Sequence, residues 1–247
     1  MNGSIKEINK DSLNEISMPR MGELRGPTLE YNTGEAFLKV ISTGCEALIA
    51  CARQLNIMDK EHGNGDYGTR LAHAAEAVQD AIQKDEVHGR NLYVTFKQIS
   101  CIIRGTVDDS AGEIYSDFFY NIAEGFSKHE SETRVTALTW LNVLTYANKA
   151  LKAKVFPEQE QALLTSLGTV QKDLENALDQ DFDPIEVYEA AVNAAESFTS
   201  RVLNARSTAG NSKGPKYPDP RAHAVGIWMR GSFEGTKLKL SHIINKS

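Results

Sequence analysis

Apolar residues recur every three or four positions over most of this chain and nowhere alternate in the manner of a strand, so the pattern predicts helices throughout. From Thr33 onward Phe37, Val40, Ile41, Gly44, Leu48, Cys51, Ala52 and Leu55 form the core stripe of a long helix with Thr33 as its cap. A second helix is predicted over 68–84 with Leu71, Ala74, Ala75, Val78 and Ile82 on one face, and a third over 90–103. A fourth covers 110–127 on the stripe Ile114, Phe118, Ile122 and Phe126. Two more, 133–154 and 158–180, part at Pro157. Asp183-Pro184 opens the next, with an acid at the cap and proline at the first helical position, and it runs to about Asn204. Residues 205–220 lose the period and collect Gly210, Gly214, Pro215, Pro218 and Pro220, which reads as a loop before a last helix over 221–233. Together these segments predict an all-α fold of about eight helices. Residues 1–33 show no sustained period and read as a mobile extension or linker, and 234–247 as a C-terminal tail, leaving 34–233 as the domain.

Composition narrows the function classes. With 247 residues, 41% apolar and 24% charged, there is material for one sizeable core. A formal charge of −6 argues against a nucleic-acid-binding face. No run approaches the roughly 18 apolar residues of a membrane span, and the N-terminus lacks the apolar core of a signal peptide, so no membrane association and a cytoplasmic location are expected. Cys45, Cys51 and Cys101 form no CxxC pair and read as reduced, buried small hydrophobes. No GxxxxGK[ST], HExxH or GxSxG motif is present.

The chemistry concentrates between the first two helices, in Asp59-Lys60-Glu61-His62-Gly63-Asn64-Gly65-Asp66-Tyr67-Gly68-Thr69. The glycines free the backbone for tight turns, while Asp59, Asn64 and Asp66 offer oxygens to a hard cation such as Mg²⁺. Asn-Gly and Asp-x-Gly are also ordinary turn formers, so the loop by itself is more readily a turn than a ligand site. Ser110, at the start of the fourth helix, is either a phosphate donor or a plain N-cap. Asp108 and Asp109 beside it would either recruit metal or repel a nucleotide. His62 reads as a packing or hydrogen-bonding residue, and Trp140 and Trp228 as core or interface residues.

Several motifs carry a family resemblance. Met58 to Thr69 follows the loop Leu-Asp-x-x-x-Gly-Asp-Gly-Asp-x-Gly-Thr, with Asn64 replacing the middle aspartate. Asp108 to Tyr115 stands where Gly-Gly-Ser/Thr-Ser-Gly-x-x-Tyr/Phe would, without its glycine pair. Arg206-Ser207-Thr208, Lys213 and Asp219-Pro220-Arg221-Ala222 fall at the spacing of a closing motif ending Asp-Pro-Gly-Ala, with Arg221 in the glycine's place. Thr136-Ala137-Leu138-Thr139 partly matches Thr-Met-Leu-Asp. On these residues the chain over 34–233 resembles the L-type (Dak2, or DhaL) domain of the dihydroxyacetone kinase family, the ATP-binding half of triokinase-like enzymes.

The resemblance implies a closed antiparallel barrel of about eight helices with nucleotide and paired Mg²⁺ at the loops of one end. It assigns metal to Asp59, Asn64 and Asp66, and ATP or ADP to Gly65, Thr69, Ser110, Ala111, Gly112, Arg206, Lys213 and Asp219. Tyr67 would line the site without reacting, and no catalytic residue is assignable to this chain alone. The implied partner is a K-type domain or subunit that holds a small ketose or aldose such as dihydroxyacetone; a homodimer stays open. A neutral Asn64 contributes less Coulomb attraction than a carboxylate, so weaker Mg²⁺ binding is expected. Two functions follow from the resemblance. The chain is a Mg²⁺-dependent, ATP/ADP-binding L domain of a glycerone kinase or triokinase, unable to act alone, or a catalytically impaired module serving nucleotide sensing or protein binding. Asn64, Ala111, the lost glycine pair and Thr139 speak for the second, all bearing on one phosphate-metal end.

Overall fold

In a computed structural model, residues 24–180, 182–208 and 216–244 are described, and in them the apolar stripes become eight α-helices. These are α1 Tyr31–Asp59, α2 Tyr67–Gln83, α3 Leu92–Thr106, α4 Ser110–Phe126, α5 Ala137–Lys152, α6 Gln161–Leu178, α7 Pro184–Thr208 and α8 Pro220–Ile244. A 3-10 turn, Glu158–Glu160, leads into α6.

Caps explain where the boundaries differ from the periodicity. Thr33 lies inside the first turn of α1, which starts after Glu30 without a side-chain cap. The third helix begins late because Asn91 accepts a hydrogen bond from the Val94 amide at 3.0 Å and so serves as the N-cap. Thr136 and Thr139 cap α5 reciprocally, each side chain accepting from the other's backbone N–H. Asp183 accepts from the amides of Ile185 and Glu186 at 2.7 and 3.0 Å, as its pairing with Pro184 predicted. At the other end of the chain the pattern misleads: α7 continues through 205–208, read as loop, and α8 runs past Phe233 to Ile244.

Each helix packs on its successor, and α8 returns to α1, so the ring closes as the expected all-α barrel. Successive helices are antiparallel; Phe126 at the end of α4 meets Trp140 at the start of α5 with ring centroids 5.0 Å apart. The closing seam depends on small residues. A Cβ on Gly231 would stand 2.6 Å from that of Ala47, and one on Gly44 2.5 Å from Ser232 Oγ. One apolar cluster takes in residues from all eight helices, including Leu38, Ala74, Phe96, Ile114, Val143, Leu163, Val192 and Phe233. Full burial of a side chain of Val, Leu or Phe size contributes about 1.5–3 kcal/mol.

The alternation of direction gives the barrel two unlike ends. At one, Phe37, Phe96, Phe126 and Trp140 form an aromatic cluster. Residues 24–30, read as part of the extension, are tied there: the Thr28 amide donates to Ser131 O at 2.9 Å and the Leu29 amide to Arg90 O at 2.6 Å. At the other end the last turns of α1 and α3 meet the first turns of α2, α4, α6 and α8. Among the described residues no helix is long and apolar enough to cross a membrane. Cys45 is buried, which pushes its thiol up to about 12, whereas Cys51 and Cys101 are only half-buried, less than their sequence setting suggested.

Candidate functional site

The loop between α1 and α2 is built around one carboxylate. Asp59 ends α1 with no exposed surface, and its Oδ2 accepts from the amides of Gly65, Asp66 and Tyr67 at 2.9, 3.2 and 3.2 Å. Gly65 makes this wrap possible with φ of +82°, a left-handed conformation that only glycine adopts without strain. Thr69 is held from below: Asn56 Nδ2 donates to its hydroxyl at 2.7 Å, and its amide donates to Asn56 Oδ1 at 3.0 Å. Asn64 is exposed. Asp66, also exposed, pairs with Arg70 at 3.1 Å. Tyr67 is buried, with its hydroxyl 3.3 Å from that of Tyr115, and burial raises both phenols so that they stay neutral.

The start of α4 faces this loop. Asp109 caps the helix, its Oδ1 accepting from the Gly112 amide at 2.8 Å, and its Oδ2 is paired with Arg70. Ser110 Oγ donates to Glu160 Oε1 at 2.8 Å, and Ala111 is packed into the core. Two of the groups that could donate to a phosphate at this helix N-terminus, the Gly112 amide and the Ser110 hydroxyl, are thus already engaged by the chain's own carboxylates.

The start of α8 completes the end. Asp219 Oδ1 accepts from the Arg221 amide at 2.9 Å, and its Oδ2 lies 3.8 Å from His62 Nδ1. His62 Nε2 lies 3.2 Å from Tyr217 O, and the Tyr217 amide donates to Glu61 at 3.0 Å, so the two loops hold each other. Arg221 reaches inward. Its guanidinium is 3.6 Å from Asp59, 3.4 Å from Glu160 and 3.8 Å from Asp219, and its Cζ lies 5.2 Å from the centre of the Tyr67 ring. A cavity of about 590 Å³ opens beside it, lined by both polar and apolar side chains, among them His62, Gln159, Thr165, Phe198, Tyr217 and Asp219.

The sequence-derived site residues therefore divide. Asp59, Gly65, Asp66, Thr69, Ser110, Ala111, Gly112 and Asp219 all come to one end of the barrel. Arg206 lies on α7 with its side chain outside the described residues, as is all of Lys213. Thr139 caps α5 beside the end of α4, at the opposite end of the barrel from the Asp59 loop. Glu160 and Arg70 escaped the sequence reading. Glu160 sits in an unremarkable polar run, Glu158-Gln159-Glu160, and Arg70 on a polar helical face; neither carries a local signal.

These residues do not fit a Mg²⁺ ion at Asp59. Mg²⁺ demands near-octahedral oxygen ligands, but one oxygen of Asp59 is spent on loop amides and the other faces Arg221. Among the described residues no three His, Cys, Asp or Glu side chains converge as a metal would need.

Comparison with known proteins places this geometry. The chain is 24% identical over 240 residues to a probable dihydroxyacetone kinase of Dictyostelium discoideum, covering 91% of this chain and 36% of that protein. It is 24% identical over 202 residues to the triokinase/FMN cyclase of Homo sapiens, covering 79% of this chain and 34% of that protein. It therefore spans about a third of the length of these relatives. The crystal structure of the dihydroxyacetone kinase of C. freundii in its native form superposes with a TM-score of 0.62 at 17% identity, covering 88% of this chain and 37% of that one. The same enzyme in complex with AMP-PNP and Mg²⁺ gives 0.61 at 18% identity, covering 88% of this chain and 36% of that one. The family model of the DAK2 domain matches residues 61–234, most of the barrel with the loops just described, and the chain belongs to the Dak2 family.

Proposed function

We propose that this chain is a Dak2 module in which metal-assisted phosphoryl transfer is impaired, and that its role is protein association, with a K-type domain as the expected partner. The observation that carries this reading is that two of the phosphate-facing groups are already taken. Gly112 N–H is taken by Asp109, Ser110 by Glu160, and Asp109 in turn by Arg70. Charge points the same way. Asp59, Asp66, Asp109, Glu160 and Asp219 gather around Arg70 and Arg221, an excess of carboxylate that repels a phosphate unless metal is added.

Calorimetric titration of ADP and ATP, with and without millimolar Mg²⁺, tests the reading. The expected result is no saturable binding below millimolar nucleotide. Micromolar Mg·ADP binding that Asp66→Ala abolishes, together with phosphoryl transfer to dihydroxyacetone when a K-type subunit is added, would overturn it.

That outcome would favour a second reading, which the 590 Å³ cavity beside Asp219 supports. There the chain is a working cytoplasmic L domain that holds ATP or ADP with Mg²⁺ and acts with a K-type domain on a small ketose or aldose. Asn64 and Asp66 would then hold metal through bound phosphate, and Arg206→Ala would weaken nucleotide binding by about 1–3 kcal/mol.

A further inference from the structure

We infer that the guanidinium of Arg221 is a built-in cation occupying the seat that a divalent ion would take at Asp59, and that removing this one side chain turns the buried carboxylates into a metal site. Arg221, Asp59 and Glu160 are almost wholly enclosed, with side chains 4%, 0% and 2% exposed. A cluster so enclosed needs a positive charge, because an isolated carboxylate loses its hydration on burial. Arg221 supplies that charge without the paired hydrogen bonds of an arginine–carboxylate fork. Asp59 Oδ1, Glu160 Oε2, and Arg221 Nε and Nη1 are all buried with no hydrogen-bond partner. The contacts of 3.4–3.8 Å are those of charges held near one another rather than of a fitted ion pair. Two carboxylate oxygens, one from α1 and one from the 3-10 turn, are thus buried without hydrogen-bond partners on either side of one guanidinium, 3.6 Å from its Nη1 and 3.4 Å from its Nε.

The backbone around the seat is already arranged. Gly63 leaves Asp59 Oδ1 uncovered, since a Cβ there would come within 2.7 Å of that oxygen. Three loop amides hold the opposite oxygen and fix the carboxylate's orientation whatever occupies the seat. Arg221 stands at the third position of Asp219-Pro220-Arg221-Ala222, and glycine there would remove the whole side chain while leaving the Asp219 cap in place. The inference deepens the function proposed above by naming what blocks metal at that end. It rests on that reading only for the absence of metal in the native chain.

The test is a titration of the whole chain with Mn²⁺ alone, read by loss of the free-ion paramagnetic resonance signal, on the native protein, Arg221→Gly, Asp59→Asn and the double variant. Melting curves with and without millimolar Mg²⁺ accompany it. The native chain should take up no Mn²⁺ that Asp59→Asn removes, and its Tm should not respond to Mg²⁺. Arg221→Gly should bind about one Mn²⁺ per chain, melt lower without divalent ions and recover with Mg²⁺ by mass action, and the double variant should lose both effects. The inference is overturned if native Mn²⁺ uptake depends on Asp59, if Arg221→Gly folds but takes up none, or if it fails to fold with Mg²⁺ as well as without. Nucleotide binding by the native chain without Asp59-dependent Mn²⁺ uptake would count against the proposed function and leave this inference standing.

Discussion

At one end of the barrel Phe96 and Phe126 stack with centroids 5.8 Å apart, and Trp140 stands edge-on to both. At the other, Asp59, Glu160 and Arg221 are as thoroughly enclosed, yet four of their polar atoms have no hydrogen-bond partner. Aromatic rings gain from leaving water and add about 0.5–1.5 kcal/mol per well-set pair. Charges lose several kcal/mol on the same transfer and recover it only through close, well-directed contacts. One end is therefore built for stability, and the other holds an arrangement that stability alone does not explain. Asp117 on α4 shows that the contrast does not come from buried carboxylates as such. It too is buried, but Arg104 meets it at 2.8 Å and Lys154 takes its second oxygen, and both cations keep contact with water, being 37% and 48% exposed.

The largest effect expected is at the aromatic end. Phe126→Ala should cost about 3–5 kcal/mol in urea denaturation, while leaving the metal response of an Arg221→Gly background intact. Next comes Arg221→Met, which keeps bulk and removes charge; stranding Asp59 and Glu160 should cost about 3 kcal/mol. Adding Asp59→Asn and Glu160→Gln should recover most of that loss. A cost no greater than that of Arg104→Met would erase the distinction between the two buried carboxylates. Asp117→Asn should lose about 1–2 kcal/mol, and that loss should shrink in molar salt because its partners reach solvent. Stability differences at Arg221 should be nearly independent of salt. Of similar size is Gly65→Ala, which forces a side chain to φ of +82° and should cost about 1–2 kcal/mol by loosening the loop that wraps Asp59.

Much of this was legible in the residues. The stripes of α1 to α4 predicted their helices because each buries one face against the same core. Asp183-Pro184 announced α7 because a cap and a proline act within a few residues. The ends of α7 and α8 were not legible: glycine and proline after residue 208 suggested a loop from 205, and the period suggested an end at Phe233, whereas both helices run further. At the site, Asp59 and Ser110 were visible by their motifs, but their partners were not. Arg70 reaches Asp109 from a different helix, and Glu160 reaches Ser110 across 50 positions.

The residues alone predicted the all-helical fold and the loop in which site chemistry would be found, because periodicity and local backbone chemistry act within a few residues along the chain; the kinship with Dak2 domains, and the closed barrel with it, came from the resemblance of motifs. It takes the assembled helices to place Thr139 at the end away from the Asp59 loop, to turn Asp59 inward onto its own loop, and to set the arginine in a glycine's place among carboxylates from α1, the 3-10 turn and the start of α8. Those outcomes follow from which helix ends meet and from how little water remains between them, and no single segment of the chain specifies either.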